Sequence, residues 1–132
     1  KASEMYGGAM DALRAVVASA RPSDEGEPIC FQAIERKMLS AKIYYAALTN
    51  RRLVITLAGG DTQVHARGSV KLSMRAKTFA DIGNMQTTYS RGWELKLGLP
   101  EGTKHTWRVY DDAVGIPDHG AQVQALVAAL TA

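Results

Sequence analysis

Basic side chains recur at alternate positions between residues 67 and 77, where their chemistry suits the binding of an anion. The odd positions of this stretch are occupied by Arg67, Ser69, Lys71, Ser73, Arg75 and Lys77. The intervening apolar residues Val70, Leu72 and Met74 predict a half-buried strand with the cations on its solvent face. Because no acidic residue interrupts the stretch, we expect a basic sheet face that attracts an anionic partner. The alternative is that the cations protect a sheet edge from unwanted pairing.

Residue types that carry catalysis or hold metals form no working pattern in this sequence. His65, His105 and His119 have no second ligand at helix or turn spacing, so we expect no metal site. Cys30 lies in the apolar segment PICFQAI, which predicts a packed strand residue and not a nucleophile. Neither a Gly-x-Ser-x-Gly elbow nor a glycine-rich phosphate loop occurs. We therefore expect neither catalysis nor a cofactor.

The composition is that of a single folded domain with an uneven distribution of charge. Of the 132 residues, 46% are apolar, and no apolar run approaches the roughly 20 residues of a membrane-spanning helix. Residues 28–110 contain 13 Lys or Arg and 5 Asp or Glu, a balance of +8, whereas both flanking segments are acidic. Charged residues interrupt the opening segment, so no secretory signal is expected. A single cysteine cannot form an internal disulfide, and we expect a cytoplasmic location, including a peripheral one at the inner membrane face.

Two helices are predicted to flank a series of strands. Met10, Leu13 and Val17 recur at helical spacing, but most of that helix face is alanine, so it is expected to bury little area. Alternating segments such as GWELKLGLP and HTWRVYD then indicate about seven antiparallel strands. The final helix carries an apolar stripe formed by Val123, Leu126, Val127 and Leu130. Turn residues separate the strands at 58–61, 90–92 and 99–103. We predict an α+β fold in which residues 1–22 form a separable helical extension and residues 23–132 the main domain.

Two arginines lie between apolar runs in the segment YYAALTNRRLVITL, residues 44–57. Asn50 tolerates the backbone of a tight hairpin, so this position is predicted to join two strands. The heads of Arg51 and Arg52 then either pair locally at the turn or contact an anion there.

The same segment resembles the hairpin of bacterial pleckstrin-homology-like (PH-like) domains. KTFADIGNM, residues 77–85, is similar to the segment that follows their fourth strand, and the final helix matches the one that caps their barrel. The resemblance covers residues 27–131. It implies a barrel of seven antiparallel strands in two near-orthogonal sheets, capped by the C-terminal helix, with the N-terminal helix as an addition.

The resemblance implies a domain that is not catalytic, and two functions stay open. The first is a binding or scaffolding module that engages a protein partner or an anionic membrane surface. Phosphoinositide-binding members of the superfamily use basic residues between their first two strands, a segment that here contains Arg36, Lys37 and Lys42. The second is a small-ligand-binding barrel, or an unrecognised enzyme, that uses the open end of the barrel. A homo-oligomer is compatible with either, and nucleic-acid binding is not expected because the aromatic residues fall in apolar patterns. The candidate binding residues are Arg36, Lys37, Lys42, Arg67, Lys71, Arg75 and Lys77.

Overall fold

A seven-stranded antiparallel sheet forms the centre of the fold, with a helix from each end of the chain packed against it. The computed structural model describes residues 2–19, 21–58 and 60–131. In chain order the elements are α1 (Ala2–Ser19), β1 (Ile29–Arg36), β2 (Ala41–Leu48), β3 (Arg52–Leu57), β4 (Thr62–Ala66), a 3-10 turn (Arg67–Ser69), β5 (Lys71–Gly83), β6 (Gln86–Gly98), β7 (Lys104–Val109) and α2 (His119–Thr131). The predicted α+β class, with seven strands between two helices, is confirmed.

The strands form one open sheet. Their order is β4-β3-β2-β1-β7-β6-β5, so β4 and β5 lie at the two edges. β1 and β7 join the two halves of the sheet through one registered pair, Ile34 with Arg108. The expected division into two near-orthogonal sheets, like the PH-like identity, stays a prediction.

The larger hydrophobic core lies between the sheet and α2. Phe31 and Trp107 are among its strand residues, and each is 1% exposed. Residues at the 3.6 period of a helix share one face, which explains why the apolar stripe of α2 reaches this core. All four residues of the predicted stripe pack there: Val123, Leu126, Val127 and Leu130.

Polar side chains of α2 occupy the place where β1 separates from β7. The backbone N–H of Gln32 donates to Nε2 of His119 at 2.8 Å, and that of Cys30 donates to Oε1 of Gln122 at 2.9 Å. The helix thus supplies acceptors that these strand amides would otherwise lack. His119 is buried, and burial lowers its pKa, which keeps the imidazole neutral and Nε2 free to accept.

A second core lies on the opposite face of the sheet, beneath α1. Adjacent residues of β2 belong to different cores, Ala46 to the first and Tyr45 to the second, because strand side chains alternate between faces. From α1, Met10, Leu13 and Val17 are each 1% exposed. The expectation that this helix buries little area is wrong, since these three large side chains are buried against the sheet, with Ala9 packed beside them. The domain division at residue 22 stays a prediction.

The hairpin of β5 and β6 extends beyond the rest of the sheet. β6 pairs with β7 only over 93–98, whereas residues 77–83 and 86–92 pair with each other. We call this outer part, together with the turn at Asn84 and Met85 that connects its strands, the β5–β6 arm. The turn predicted at 90–92 is wrong, because these residues continue β6. Gly92 allows a close approach there, since a Cβ would lie 2.9 Å from the ring of Tyr110. Phe79 packs edge-on against the same ring, with centroids 5.9 Å apart, and this contact folds the arm onto the end of β7.

Candidate anion-binding surface

The two arginines of the β2–β3 turn are bound within the protein. Arg52 donates to both carboxylate oxygens of Glu25, at 2.8 and 3.0 Å, and to the carbonyl oxygen of Val17 near the end of α1. Arg51 pairs with Asp24 at the surface. Of the two roles that the sequence left open for these arginines, local pairing is the one that the structure shows.

Burial makes the pair of Glu25 and Arg52 important for stability. The Glu25 side chain has no exposed surface, and that of Arg52 is 12% exposed. Thr49 Oγ1 donates a further hydrogen bond to the carboxylate at 2.7 Å. Hydrogen bonds from Arg52 and then Thr49 lower the pKa of Glu25 despite its burial. We call Glu25, Arg52 and Thr49 the Glu25 clamp; it fastens the connector 21–28 and α1 to the sheet.

Arg75 and Lys77, two cations of the predicted stripe, share a carboxylate. Arg75 Nε lies 2.9 Å from Oε1 of Glu94, and Lys77 Nζ lies 2.8 Å from Oε2. Glu94 is directly opposite Arg75 in the register of β5 and β6. Hydrogen bonds from Lys77 and Arg75 lower the pKa of Glu94 to about 2. The expectation of a face without negative charge is therefore wrong, because the acid comes from the neighbouring strand.

Arg67 lies apart from the other cations of the stripe. Its 3-10 turn precedes β5, which begins at Lys71, so the expected unbroken strand from residue 67 is wrong. The backbone N–H of Arg67 donates to the carbonyl oxygen of Arg51 at 2.9 Å, which places Arg67 beside the β2–β3 turn.

Lys71 belongs instead to a cluster of three lysines on adjacent strands. Gly98 of β6 is paired with Lys71 on one side and with Lys104 on the other, and Lys96 is the next β6 residue on that face. Directly paired side chains in antiparallel strands lie on the same face. Lys96 and Lys104 were missed as site residues, because their proximity to Lys71 depends on the register. The alternation of Glu94, Lys96 and Gly98 in the sequence was the available signal.

The three lysines surround an open groove of about 420 Å³. Gly98 contributes no side chain at its centre, and a Cβ there would meet only Lys71 Cβ, at 3.6 Å. Ser73 and Thr106 flank Lys96 in the register and add two hydroxyl groups to the lining. Among the described residues, no carboxylate lines this groove. It therefore presents cations and hydrogen-bonding groups that suit an anion.

Arg36, Lys37 and Lys42, the remaining predicted cations, lie at the β1–β2 turn, and all three are exposed. Between them, Met38 is 95% exposed and Leu39 is 96% exposed. The cations of this turn were predicted from the sequence as binding residues, whereas Met38 and Leu39 were not.

Hydrogen bonds to Glu35 hold the β1–β2 turn beside the lysine groove. The Glu35 carboxylate accepts from Tyr44 at 3.0 Å and lies 2.9 Å from Nδ1 of His105, which follows Lys104 on β7. Burial raises the pKa of Glu35, but the hydrogen bonds of His105 and Tyr44 outweigh it and lower the pKa overall. Burial and the Glu35 contact raise the pKa of Tyr44 to about 12. Glu35 is thus a structural anion that also lies 3.7 Å from Lys37.

The turn and the groove together form a surface that we call the basic end. Acids also lie in its neighbourhood: Glu35 is 3.7 Å from Lys37, Asp81 bonds to Arg108 at 2.7 Å and lies 4.0 Å from Arg36, and Glu101 is exposed in the β6–β7 turn. Cations outnumber these acids, so the local potential is positive. The basic end consists of Arg36, Lys37, Lys42, Lys71, Lys96 and Lys104.

Within the described ranges, no group of three His, Cys, Asp or Glu side chains could hold a metal ion. Neither helix, over its described residues, is long and apolar enough to cross a bilayer. Comparisons with models of protein families, with curated proteins and with solved structures found no match. The resemblance to PH-like domains stays a prediction, and the function has to be argued from the geometry of the basic end.

Proposed function

We propose that this protein is a non-catalytic binding module that attaches to an anionic membrane surface through the basic end. The observation that carries the proposal is the β1–β2 turn, where the side chains of Met38 and Leu39 are exposed to solvent between Lys37 and Lys42. An apolar pair flanked by cations suits a bilayer, whose surface is anionic and whose interior is apolar.

Two contributions to the binding free energy combine at this surface. Each Lys or Arg close to an anionic bilayer contributes about 1 kcal/mol, and the attraction decays over a Debye length of about 8–10 Å. Complete burial of a side chain such as Met38 or Leu39 contributes about 1.5–3 kcal/mol and is not screened by salt. Lysine stems also let the ammonium groups stay among the headgroups while their methylenes contact the apolar layer.

A protein partner, the other occupant that the sequence suggested, is less well matched to this surface. Met38 and Leu39 project from the tip of a turn, so a protein would need a pocket of matching shape, whereas a fluid bilayer adapts to them. A ligand cavity on the face of the sheet that packs against α2 has less support, because aromatic rings occupy that region. Tyr44 stacks on Trp107 with centroids 5.0 Å apart, and His105 lies 6.2 Å from both rings.

Sedimentation with phosphatidylserine-containing vesicles tests the proposal. The parent protein should bind these vesicles at low salt, bind less at high salt, and ignore vesicles of phosphatidylcholine alone. Lys104→Glu should weaken binding, and Arg67→Glu is its matched control, since it changes the net charge equally at a position outside the basic end. Met38→Ser with Leu39→Ser should reduce the part of the binding that persists at high salt.

Absence of binding by the parent at low salt would overturn the proposal and favour a protein partner. An equal loss in Lys104→Glu and Arg67→Glu would also count against it, because binding would then follow net charge and not this surface.

A further inference from the structure

In the described structure, exposed apolar side chains are concentrated at the β1–β2 turn and at the outer end of the β5–β6 arm. Nine large hydrophobic residues in the described ranges are exposed, and five of them lie at the β1–β2 turn or on the β5–β6 arm. The first turn contributes Met38 and Leu39, and the arm contributes Ile82, Met85 and Tyr89. The arm residues lie outside the basic end.

Charged contacts hold the turn of the arm next to the β1–β2 turn. Asp81 accepts a hydrogen bond from Arg108 at 2.7 Å, and its other oxygen lies 4.0 Å from Nε of Arg36. Ile82 directly follows Asp81, and Met38 is two residues beyond Arg36. The two groups of exposed apolar residues are therefore neighbours on the surface.

The arm turns its apolar residues away from the protein. Its inner face contacts β7 and the residue after it, through the pairing of Asp81 with Arg108 and the 3.2 Å contact between Ser90 Oγ and the hydroxyl of Tyr110. The register pairs Ile82 with Thr87 and Tyr89 with Ala80. Because side chains alternate along each strand, Ile82 and Tyr89 share the opposite, solvent-facing side of the arm.

Met85 has a backbone conformation that disfavours its side chain. Asn84 and Met85 form the turn, with φ of 50° and 61°. Two-residue hairpin turns with positive φ at both positions favour Asn followed by Gly, because a Cβ is crowded in the left-handed region. The Met85 side chain is fully exposed and gains nothing from packing within the described structure. A strained and exposed apolar residue indicates a contact outside the chain.

We propose that the turn of the β5–β6 arm is a second membrane-inserting element, in which Ile82, Met85 and Tyr89 enter the boundary between headgroups and acyl chains. This inference rests on the proposed function and assigns the arm to the same anionic bilayer. The bilayer is favoured as the occupant because the arm turn adjoins the β1–β2 turn and its cations, and because tyrosine is enriched at the interfacial depth. Two anchors instead of one would also fix the orientation of the domain on the surface.

Met85→Gly separates this role from a role in folding. Glycine relieves the left-handed strain, so the variant should melt at a higher temperature than the parent. The same variant should bind phosphatidylserine vesicles about threefold to tenfold more weakly, because an apolar side chain no longer enters the bilayer. Val64→Ser is the matched control, since Val64 is an exposed apolar residue on β4 and should not contribute.

An environment-sensitive fluorophore on a single introduced cysteine measures insertion directly. In a Cys30→Ala background, the label should brighten and shift to the blue on vesicle addition when it replaces Met85 or Met38. It should not respond when it replaces Val64.

The outcomes separate the two proposals. If the parent binds and Met38→Ser with Leu39→Ser weakens binding, while Met85→Gly binds like the parent and the fluorophore at position 85 does not respond, the arm inference is overturned and the proposed function stands. If the parent does not bind anionic vesicles, both are overturned.

Discussion

Two turns of the sheet carry similar basic residues and use them in opposite ways. In the β2–β3 turn, Arg52 is enclosed and bonded to the buried carboxylate of Glu25. In the β1–β2 turn, the cations are exposed and flank Met38 and Leu39, which are almost fully in water. The first turn satisfies its charges within the protein, and the second presents charge and apolar surface together.

The difference shows that a hydrogen-bonded counter-ion, and not the density of basic residues, separates a structural cation from a candidate binding cation. The carboxylates nearest Lys37 and Arg36 lie at 3.7 and 4.0 Å, beyond hydrogen-bonding distance. Within β5 the same distinction holds over a few residues. Lys77 is bonded to Glu94, whereas Lys71 lines a groove in which no described carboxylate takes part. The following predictions test this difference by removing a paired charge, or by weakening the helix that such a pair holds, and by comparing the result with an exposed position or with the parent protein.

The largest effect is expected from Arg52→Ala. Removal of the arginine leaves the buried Glu25 without its partner, which should lower the free energy of unfolding by about 3–5 kcal/mol. Arg51→Ala, the control in the same turn, breaks only an exposed ion pair and should cost less than about 1 kcal/mol. Urea denaturation of both variants measures the difference. Equal costs would show that burial does not distinguish the two arginines.

A second prediction concerns α1, which the Glu25 clamp holds through Val17. Leu13 is 1% exposed, so Leu13→Ala should lower the free energy of unfolding by about 2–5 kcal/mol in a single transition. Val16→Ala on the exposed side of the same helix is the control and should change stability by less than about 0.5 kcal/mol. A normal melting curve for Leu13→Ala would restore the expectation that residues 1–22 are separable.

A third prediction uses the acid dependence of stability. The pKa of Glu94 falls to about 2 in the folded protein, below its unfolded value, so its contribution is complete above about pH 5 and is lost as pH falls toward 2. Since Arg75 is 65% exposed and the interaction is partly screened, the contribution should be on the order of 2 kcal/mol. Glu94→Gln should therefore flatten the stability profile between pH 5 and 2, as followed by thermal melting. A profile as steep as that of the parent would contradict the role of this pair.

The smallest effect on stability is expected from the basic end itself. Lys71→Ala should change the free energy of unfolding by less than about 0.5 kcal/mol, because no described carboxylate lines the groove that Lys71 faces. Lys77→Ala on the same strand should cost about 1 kcal/mol, since it loses its bond to Glu94. In vesicle binding the order should reverse, with Lys71→Ala the weaker binder. The same order in both assays would remove the distinction between the two lysines.

Local sequence periodicity determined most of the secondary structure of this protein. The period of two in GWELKLGLP and HTWRVYD identified β6 and β7, and the stripe through Val123 and Leu126 identified the buried face of α2. These features follow from residues a few positions apart. Such a pattern places the apolar side chains on one face of a helix or strand, and the hydrophobic effect favours burial of that face. The basic character of residues 28–110 and the cations of the β1–β2 turn were equally visible in the sequence.

Only the tertiary structure decided which charges are free. The register of β5 against β6 brought Glu94 to Arg75 and Lys77, and it grouped Lys71 with Lys96 and Lys104. The contact of α1 with the sheet likewise arises from residues far apart in the chain. Composition and spacing cannot supply this information, because a charged side chain is neutralised by whatever lies within a few ångströms of it, and those neighbours are set by strand pairing and packing.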